Sequence, residues 1–139
     1  MRKIFFVIFT FCVFMFFACS EEHKNDIAAA KAAKEYYDSL LAGNYAYFVR
    51  GMYLADTIPD GYREELEANA KMFVERVKEE HHGICEVRIM NCVNDTIHIE
   101  KTDKSVHASE AFLVFCFGDS LNEEVVVPMV FHKNRWLMR

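Results

Sequence analysis

The spacing of the apolar residues changes abruptly at Gly83, and no other feature of this sequence restricts the fold as strongly. Before Gly83, apolar residues between Tyr62 and Val77 recur at intervals of three and four, which predicts a long amphipathic helix that begins at Pro59-Asp60. After Gly83, residues 85–89 alternate between apolar and charged, as in a half-buried β-strand. The chain is therefore expected to form an α+β domain, with its helices first and an antiparallel sheet after them.

Two further helical segments precede that long helix. Asp26 stands where a capping residue is expected, and the alanine-rich run after it predicts a helix that Gly43 ends. The aromatic segment Tyr45–Tyr53 predicts one or two further helical turns. The helical layer should therefore contain two or three helices.

The second half of the chain predicts four or five strands. Asn94-Asp95 favours a tight turn that would join the first strand to a short one over residues 96–100. Residues 108–118 and 123–132 predict two longer strands, and Lys133-Asn134 predicts a turn into a last strand that ends at Arg139. Helices packed on one side of such a sheet would give a curved, antiparallel arrangement.

The runs FLVFCF and VVVPMVF in the two longer strands are apolar on both alternating faces, which predicts that both faces are covered. One helical layer covers only one face, so the other must meet a ligand cavity, a partner subunit or more of the same chain. Val114 and Val126 are expected to point outward, and Pro128 predicts an edge or a bulge. The expected core face consists of Leu113, Phe115, Phe117, Val125, Val127 and Met129.

The amino terminus has the layout of a signal peptide: Arg2-Lys3, a short apolar run from Ile4 to Phe17, and a small residue before Cys19. The residues FFAC resemble the lipobox of bacterial lipoproteins, which implies a diacylglyceryl group with palmitate-type acyl chains on the Cys19 thiol and a membrane anchor. The alternative is an uncleaved N-terminal anchor in which Cys19 is incidental. The acidic residues that follow resemble the export signal of lipoproteins in Bacteroidetes, which implies the outer membrane and a surface-exposed position. The expected divisions are residues 1–18 for the signal peptide, 19–25 for the lipidated cysteine and polar tether, and 26–139 for the domain.

Charge and cysteine content restrict the function further. Without residues 1–18 the chain has 14 Lys and Arg against 21 Asp and Glu, a net charge of −7, and it lacks a basic stripe, so nucleic acid is not an expected partner. Cys85, Cys92 and Cys116 are interpreted as small apolar strand residues. One disulfide among them is compatible with export, but the sequence does not say which pair would form it.

The order of elements resembles the NTF2-like (SnoaL-like) superfamily, in which helices close over a bent sheet to form a cone. The segments that carry this resemblance are AAKEYYDSLLAGNYAYFV and NRWLMR, and it extends over residues 26–139. A domain of this kind behind a lipobox is similar to envelope lipoproteins of gut Bacteroidetes. In this superfamily the outer sheet face is often a dimer contact, which implies a homodimer through the sheet.

Two functions remain open at this point. The preferred hypothesis is a non-catalytic envelope lipoprotein whose domain binds a small ligand or a protein partner; the alternative is a SnoaL-like isomerase or dehydratase with an ionisable group in the cone. The resemblance implies Asp38, His98 and His107 as catalytic candidates and Tyr36, Tyr37 and Trp136 as pocket residues. His81-His82 and Cys85 lie close together in sequence, yet their spacing matches no familiar zinc pattern, so neither a metal nor a cofactor is expected.

Overall fold

The computed structural model describes residues 27–53, 55–99 and 104–139, and the side chains within them except those of residues 97–99 and 104. The described helices are α1 (Ala28–Leu41), α2 (Tyr45–Arg50) and α3 (Asp60–His81), with a short 3-10 turn at Ala55–Thr57. The described strands are β1 (Ile84–Ile99), β2 (Lys104–Phe117), β3 (Asn122–His132) and β4 (Arg135–Met138). Three helices thus pack on one antiparallel sheet, as the sequence predicted.

The helix ends follow local sequence signals. Gly43 and Gly83 both have positive φ, 88° and 84°, and they end α1 and α3 because glycine reaches this conformation without a Cβ penalty. The Asn44 side chain accepts a hydrogen bond from the Tyr47 amide and so caps α2. Asp26, the predicted cap of α1, lies outside the described residues. Within the described part of the chain, no helix combines the length and apolar character that crossing a membrane requires.

The predicted turn at Asn94-Asp95 is wrong. β1 runs without interruption through both residues, which pair with Ser109 and Ala108 of β2, and the ladder continues to Ile99. The register over these residues is regular because β2 is long enough to pair with β1 along its whole length. Long-range pairing therefore overrides the local turn preference of Asn-Asp, and the sheet has four described strands in the order β1-β2-β3-β4.

The helices cover one face of this sheet, here called the inner face, and the assignment of the two faces is confirmed. Leu113 and Met129 are completely buried, whereas Val126 on the opposite face is 46% exposed. Of the six residues predicted for the core face, all are buried except Val125, which is partly buried against the same core. β1 departs from simple alternation because register shifts at Ile84/Glu86 and Ile89/Asn91 bend it, and Cys85 consequently lies exposed.

One edge of the sheet is closed by the chain itself. The Tyr53 amide donates to the Met138 carbonyl at 2.6 Å, and the Met138 amide donates to the Gly51 carbonyl at 2.7 Å, so residues 51–53 run beside β4. Pro128 fits at the end of this β3–β4 ladder. The Pro128 carbonyl accepts a hydrogen bond from the Arg139 amide at 2.8 Å. In an antiparallel strand the nitrogen and the carbonyl of one residue face the same neighbour, so the Pro128 nitrogen also faces the β4 side, beyond the last pair, Met129 and Met138. The missing N–H of proline therefore removes no hydrogen bond from the ladder.

Candidate functional site

The interior of the cone is filled by the side chains that the sequence suggested as pocket residues. Tyr36 is 7% exposed, and its hydroxyl donates to the Trp136 carbonyl at 2.8 Å. The Tyr36 ring also lies directly against Gly51, where a Cβ atom would approach it to 2.4 Å. This close approach explains why glycine follows α2: any side chain at that position would displace the tyrosine.

Tyr37 is held in a similar way. Its ring packs between Phe48 of α2 and Phe115 of β2, with centroid distances of 5.3 and 5.1 Å. Burial raises the pKa of the Tyr37 hydroxyl, because the phenolate would be poorly solvated there. The depressions that can be described beside α1, beside the Ala55–Thr57 turn and between β1 and Arg139 are lined by residues other than Tyr36, Tyr37 and Trp136.

The three catalytic candidates are not brought together by the described residues. Asp38 is exposed on α1, forms an ion pair with Lys34 one turn earlier, and lines an open depression on the solvent side of the helix. His107 is exposed on β2. The backbone of His98 lies in β1 opposite Ser105, while its side chain falls outside the described part, as does Cys19.

A tyrosine–glutamate pair lies at the solvent end of the same helices. The Tyr47 hydroxyl donates to Glu35 Oε1 at 2.6 Å, and the Tyr47 ring contacts Tyr36 at 5.6 Å between centroids. The hydrogen bond to Glu35 raises the pKa of Tyr47 to about 12, because ionising the phenol would place two negative charges together. This pair joins α1 to α2.

A histidine–aspartate pair joins α3 to the β2–β3 turn. His81 Nδ1 lies 2.8 Å from Asp119 Oδ2, and the imidazole stacks on Phe117 at 4.4 Å. The hydrogen bond with His81 lowers the pKa of Asp119 because it favours the ionised carboxylate. The two residues of this pair are 38 positions apart, so no local sequence pattern predicts it. Among the described residues, no group of three His, Cys, Asp or Glu side chains is placed to hold a metal ion.

The outer face of the sheet carries an apolar patch outside the core. Its central feature, here called the outer stripe, consists of Phe112, Val114, Cys116 and Val126. The first three are partly buried, and Val126 is 46% exposed. The stripe has charged flanks, because Val114 pairs with Arg88 on one side and Glu124 on the other.

The outer stripe ends where the chain covers the sheet itself. Val130 and Leu137, which follow on the same face, are 6% and 4% exposed. Leu137 and Ala55 line one depression together, which places the 3-10 turn beside this end of the sheet. The apolar patch is therefore bordered by Arg88 and Glu124 beside Val114, and by the Ala55–Thr57 turn near Leu137. Interaction surfaces commonly have such an apolar centre and a polar rim.

Comparison with known proteins shows the fold and no more. No protein-family profile matches this chain, and no curated protein matches it. A solved structure from Campylobacter jejuni, described provisionally as an NTF2-like transpeptidase, superposes with a TM-score of 0.53 at 14% sequence identity. The match covers 76% of this chain and 92% of that one. The chain therefore has the NTF2-like fold that its element order suggested, and the reaction named for the relative is not transferred by a likeness at this identity.

Proposed function

We propose that this protein is a lipid-anchored envelope protein that acts by binding another protein on the outer face of its sheet, without catalysing a reaction. The anchor is the diacylglyceryl group expected on Cys19, and the expected location is the outer membrane, with the domain carried on the tether at residues 19–25. The observation that carries the binding role is the outer stripe, an apolar patch half open to solvent at the centre of the sheet.

A protein partner is favoured over a small ligand because the inside of the fold is occupied. Small-molecule sites are concave and mostly apolar, with a few polar groups that converge on the ligand. Here the inner face packs against Tyr36 and Tyr37, while Val126 on the outer face of the sheet is 46% exposed. An apolar surface with charged flanks suits a protein interface.

A second copy of the chain is the first partner to consider for this face. If two copies pack face to face about a two-fold axis parallel to β2, then β1 of one lies over β3 of the other. Arg88 and Glu124 flank Val114 at the same level, so each would meet its opposite charge across the interface. The outer stripe would become buried between the two sheets, which normally pack about 10 Å apart.

Sedimentation of the wild-type chain and of Val126→Glu tests this proposal. A carboxylate at position 126 would be buried without a partner in the interface, so we expect the variant to lose self-association, or capture of a partner, while it keeps its fold. Met72→Glu is the matched control, because Met72 is 65% exposed on α3, away from the sheet. Equal association of the wild type and both variants, or wild-type protein that remains a monomer and captures no partner, would rule out a binding role for the outer stripe.

A further inference from the structure

The strand register decides which of the described cysteines can be joined by a disulfide, a question that the sequence left open. The three described thiols are free in the structure; Cys85 is exposed, and Cys92 and Cys116 are partly buried. Two cysteines can form a disulfide when their Cα atoms lie about 4.4–6.8 Å apart and their Cβ atoms point toward each other. The pairing of the strands and the face that each residue occupies therefore test the three combinations.

The first register shift of β1 places Cys85 opposite Cys116. Ile84 pairs with Phe117. The next pair joins Glu86 to Cys116, which leaves Cys85 as an extra residue on β1. In such a β-bulge, two residues of one strand oppose a single residue of the other. Directly opposed residues of antiparallel strands have Cα atoms about 4.5–5.5 Å apart, a separation that a disulfide can span.

The exposure of the neighbouring residues shows that both cysteines lie on the outer face of the sheet. Val87 is 1% exposed and points to the inner face, whereas Cys85 and the residue after it are both exposed. Two consecutive exposed residues are expected at a bulge, because the extra residue interrupts the alternation of the strand. Cys116 stands between Phe115 and Phe117, which are buried in the core, so its side chain also points to the outer face.

Cys92 is too far from both of these residues to join either. It pairs with the completely buried Ala111 and packs against the core, so its thiol lies on the inner face. Its Sγ atom is 2.8 Å from the hydroxyl of Ser109. Ala111 and Cys116 are five positions apart on β2, a distance of about 17 Å, whereas a disulfide requires Cα atoms within about 7 Å. Cys85 is farther still, seven positions from Cys92 along β1.

We propose that Cys85 and Cys116 are the site of an intramolecular disulfide, which forms when the folded chain meets a disulfide oxidant, and that Cys92 remains a free thiol. The bond joins the start of β1 to the end of β2 across the bulge and closes a loop of residues 85–116. The proposal requires an oxidant but neither a membrane anchor nor a partner protein, so it does not depend on the proposed function.

Glutathione disulfide is a sufficient oxidant for this reaction. The exposed Cys85, as its thiolate, attacks one sulfur of glutathione disulfide, and a mixed disulfide forms while one glutathione thiolate leaves. The Cys116 thiolate then attacks the Cys85 sulfur and releases the second glutathione. Two electrons pass from the cysteine pair to glutathione disulfide, and the two protons that the cysteines lose are taken up by the two glutathione thiolates.

Peptide mapping of the full chain tests the assignment. The protein, in detergent micelles, is equilibrated with reduced and oxidised glutathione, its free thiols are alkylated, and it is digested without reduction. Trypsin cleaves after lysine and arginine and so places the three cysteines in separate peptides, residues 79–88, 89–101 and 105–133. Mass spectrometry then identifies which peptides are linked, and non-reducing electrophoresis shows whether the link lies within one chain.

We expect the wild type to run as a monomer in which peptide 79–88 is linked to peptide 105–133. This link should exceed any other about tenfold or more, because only these two cysteines satisfy the distance requirement. Cys85→Ser and Cys116→Ser should not form it. Cys92→Ser is the matched control, because it removes a thiol from the same sheet and should keep the link at the wild-type level.

A parallel reaction in concentrated urea separates the effect of the fold from that of the sequence. In the unfolded chain the loop between Cys85 and Cys92 is the shortest, so it closes at the lowest entropic cost, and links that include Cys92 should appear. The absence of a link in the folded chain, a folded-state link through Cys92, a covalent dimer in place of the monomer, or the same mixture of links with and without urea would overturn the proposal.

Discussion

Two adjacent valines on β3 allow the energies of the two sheet faces to be compared directly. Val127 is 4% exposed and belongs to the core, whereas its neighbour Val126 is 46% exposed on the outer face. Replacing either one by alanine removes the same atoms from adjacent positions of one strand. The loss of strand propensity and the effect on the unfolded chain are therefore nearly equal, and the difference between the two variants measures burial.

The expected magnitudes follow from that burial. Each buried CH₂ group contributes about 0.8 kcal/mol, so Val127→Ala should lose about 1.6 kcal/mol of transfer free energy, and the cavity left in the core raises the cost to about 2–3 kcal/mol. For Val126→Ala the transfer contribution falls to about 0.8 kcal/mol, and no closed cavity forms. For a domain of this size, a loss of about 1 kcal/mol lowers the melting temperature by about 4 °C. The melting temperature should therefore fall by about 8–12 °C in Val127→Ala and by about 3 °C in Val126→Ala.

Thermal and urea unfolding, followed by circular dichroism, would measure both variants against the wild type. The measurement is repeated over a range of protein concentrations, because only Val126→Ala should alter a concentration dependence that comes from association through the outer stripe. Equal losses for the two variants at the lowest concentration, or a larger loss for Val126→Ala, would refute the assignment of the faces.

Three other predictions concern separate parts of the molecule. Cys19→Ser should remain unlipidated and uncleaved, because the acyl chains depend on the thiol; labelled palmitate in the variant equal to that in the wild type would contradict this. A chain that starts at Asn25 should keep a cooperative thermal transition, since the described packing begins at Ile27, and loss of that transition would move the domain boundary toward the amino terminus. Asp119→Asn should destabilise the protein at neutral pH by removing the charged partner of His81. Because the pKa of Asp119 is lowered on folding, its contribution is present above the ordinary value of 3.8 and is lost as the pH falls through the lower folded value. Urea midpoints of the two proteins should therefore converge in acid, and a constant difference down to pH 2 would count against the pair.

The spacing of the apolar residues and the positions of glycine and turn residues were enough to predict most of the architecture. Apolar residues that are three and four positions apart lie on a common face only in a helix, and residues that alternate lie on a common face only in a strand. The order of helices and strands therefore followed from the sequence. Gly43 and Gly83 mark helix ends because each adopts a positive φ, and the turn at Lys133-Asn134 has positive φ at both residues. The division of β2 and β3 into inner and outer residues was predictable for the same reason.

The tertiary structure decided what depends on a distant part of the chain. Asn94-Asp95 lies inside β1 because β2 pairs with it there, although the dipeptide alone favours a turn. Tyr36 is a packing residue because Gly51 and the Trp136 carbonyl surround it, and no short-range pattern relates these three positions.

The candidate surfaces also depend on residues from distant parts of the chain. The outer stripe was visible as a doubly apolar run, but its charged flanks come from Arg88 on β1 and Glu124 on β3, which only the strand register brings to the same level. His81 and Asp119 likewise meet because α3 ends beside the β2–β3 turn. A sequence specifies which face of its own element each residue takes, since that depends on neighbours a few positions away; which residues meet across elements depends on pairing and packing between segments far apart in the chain.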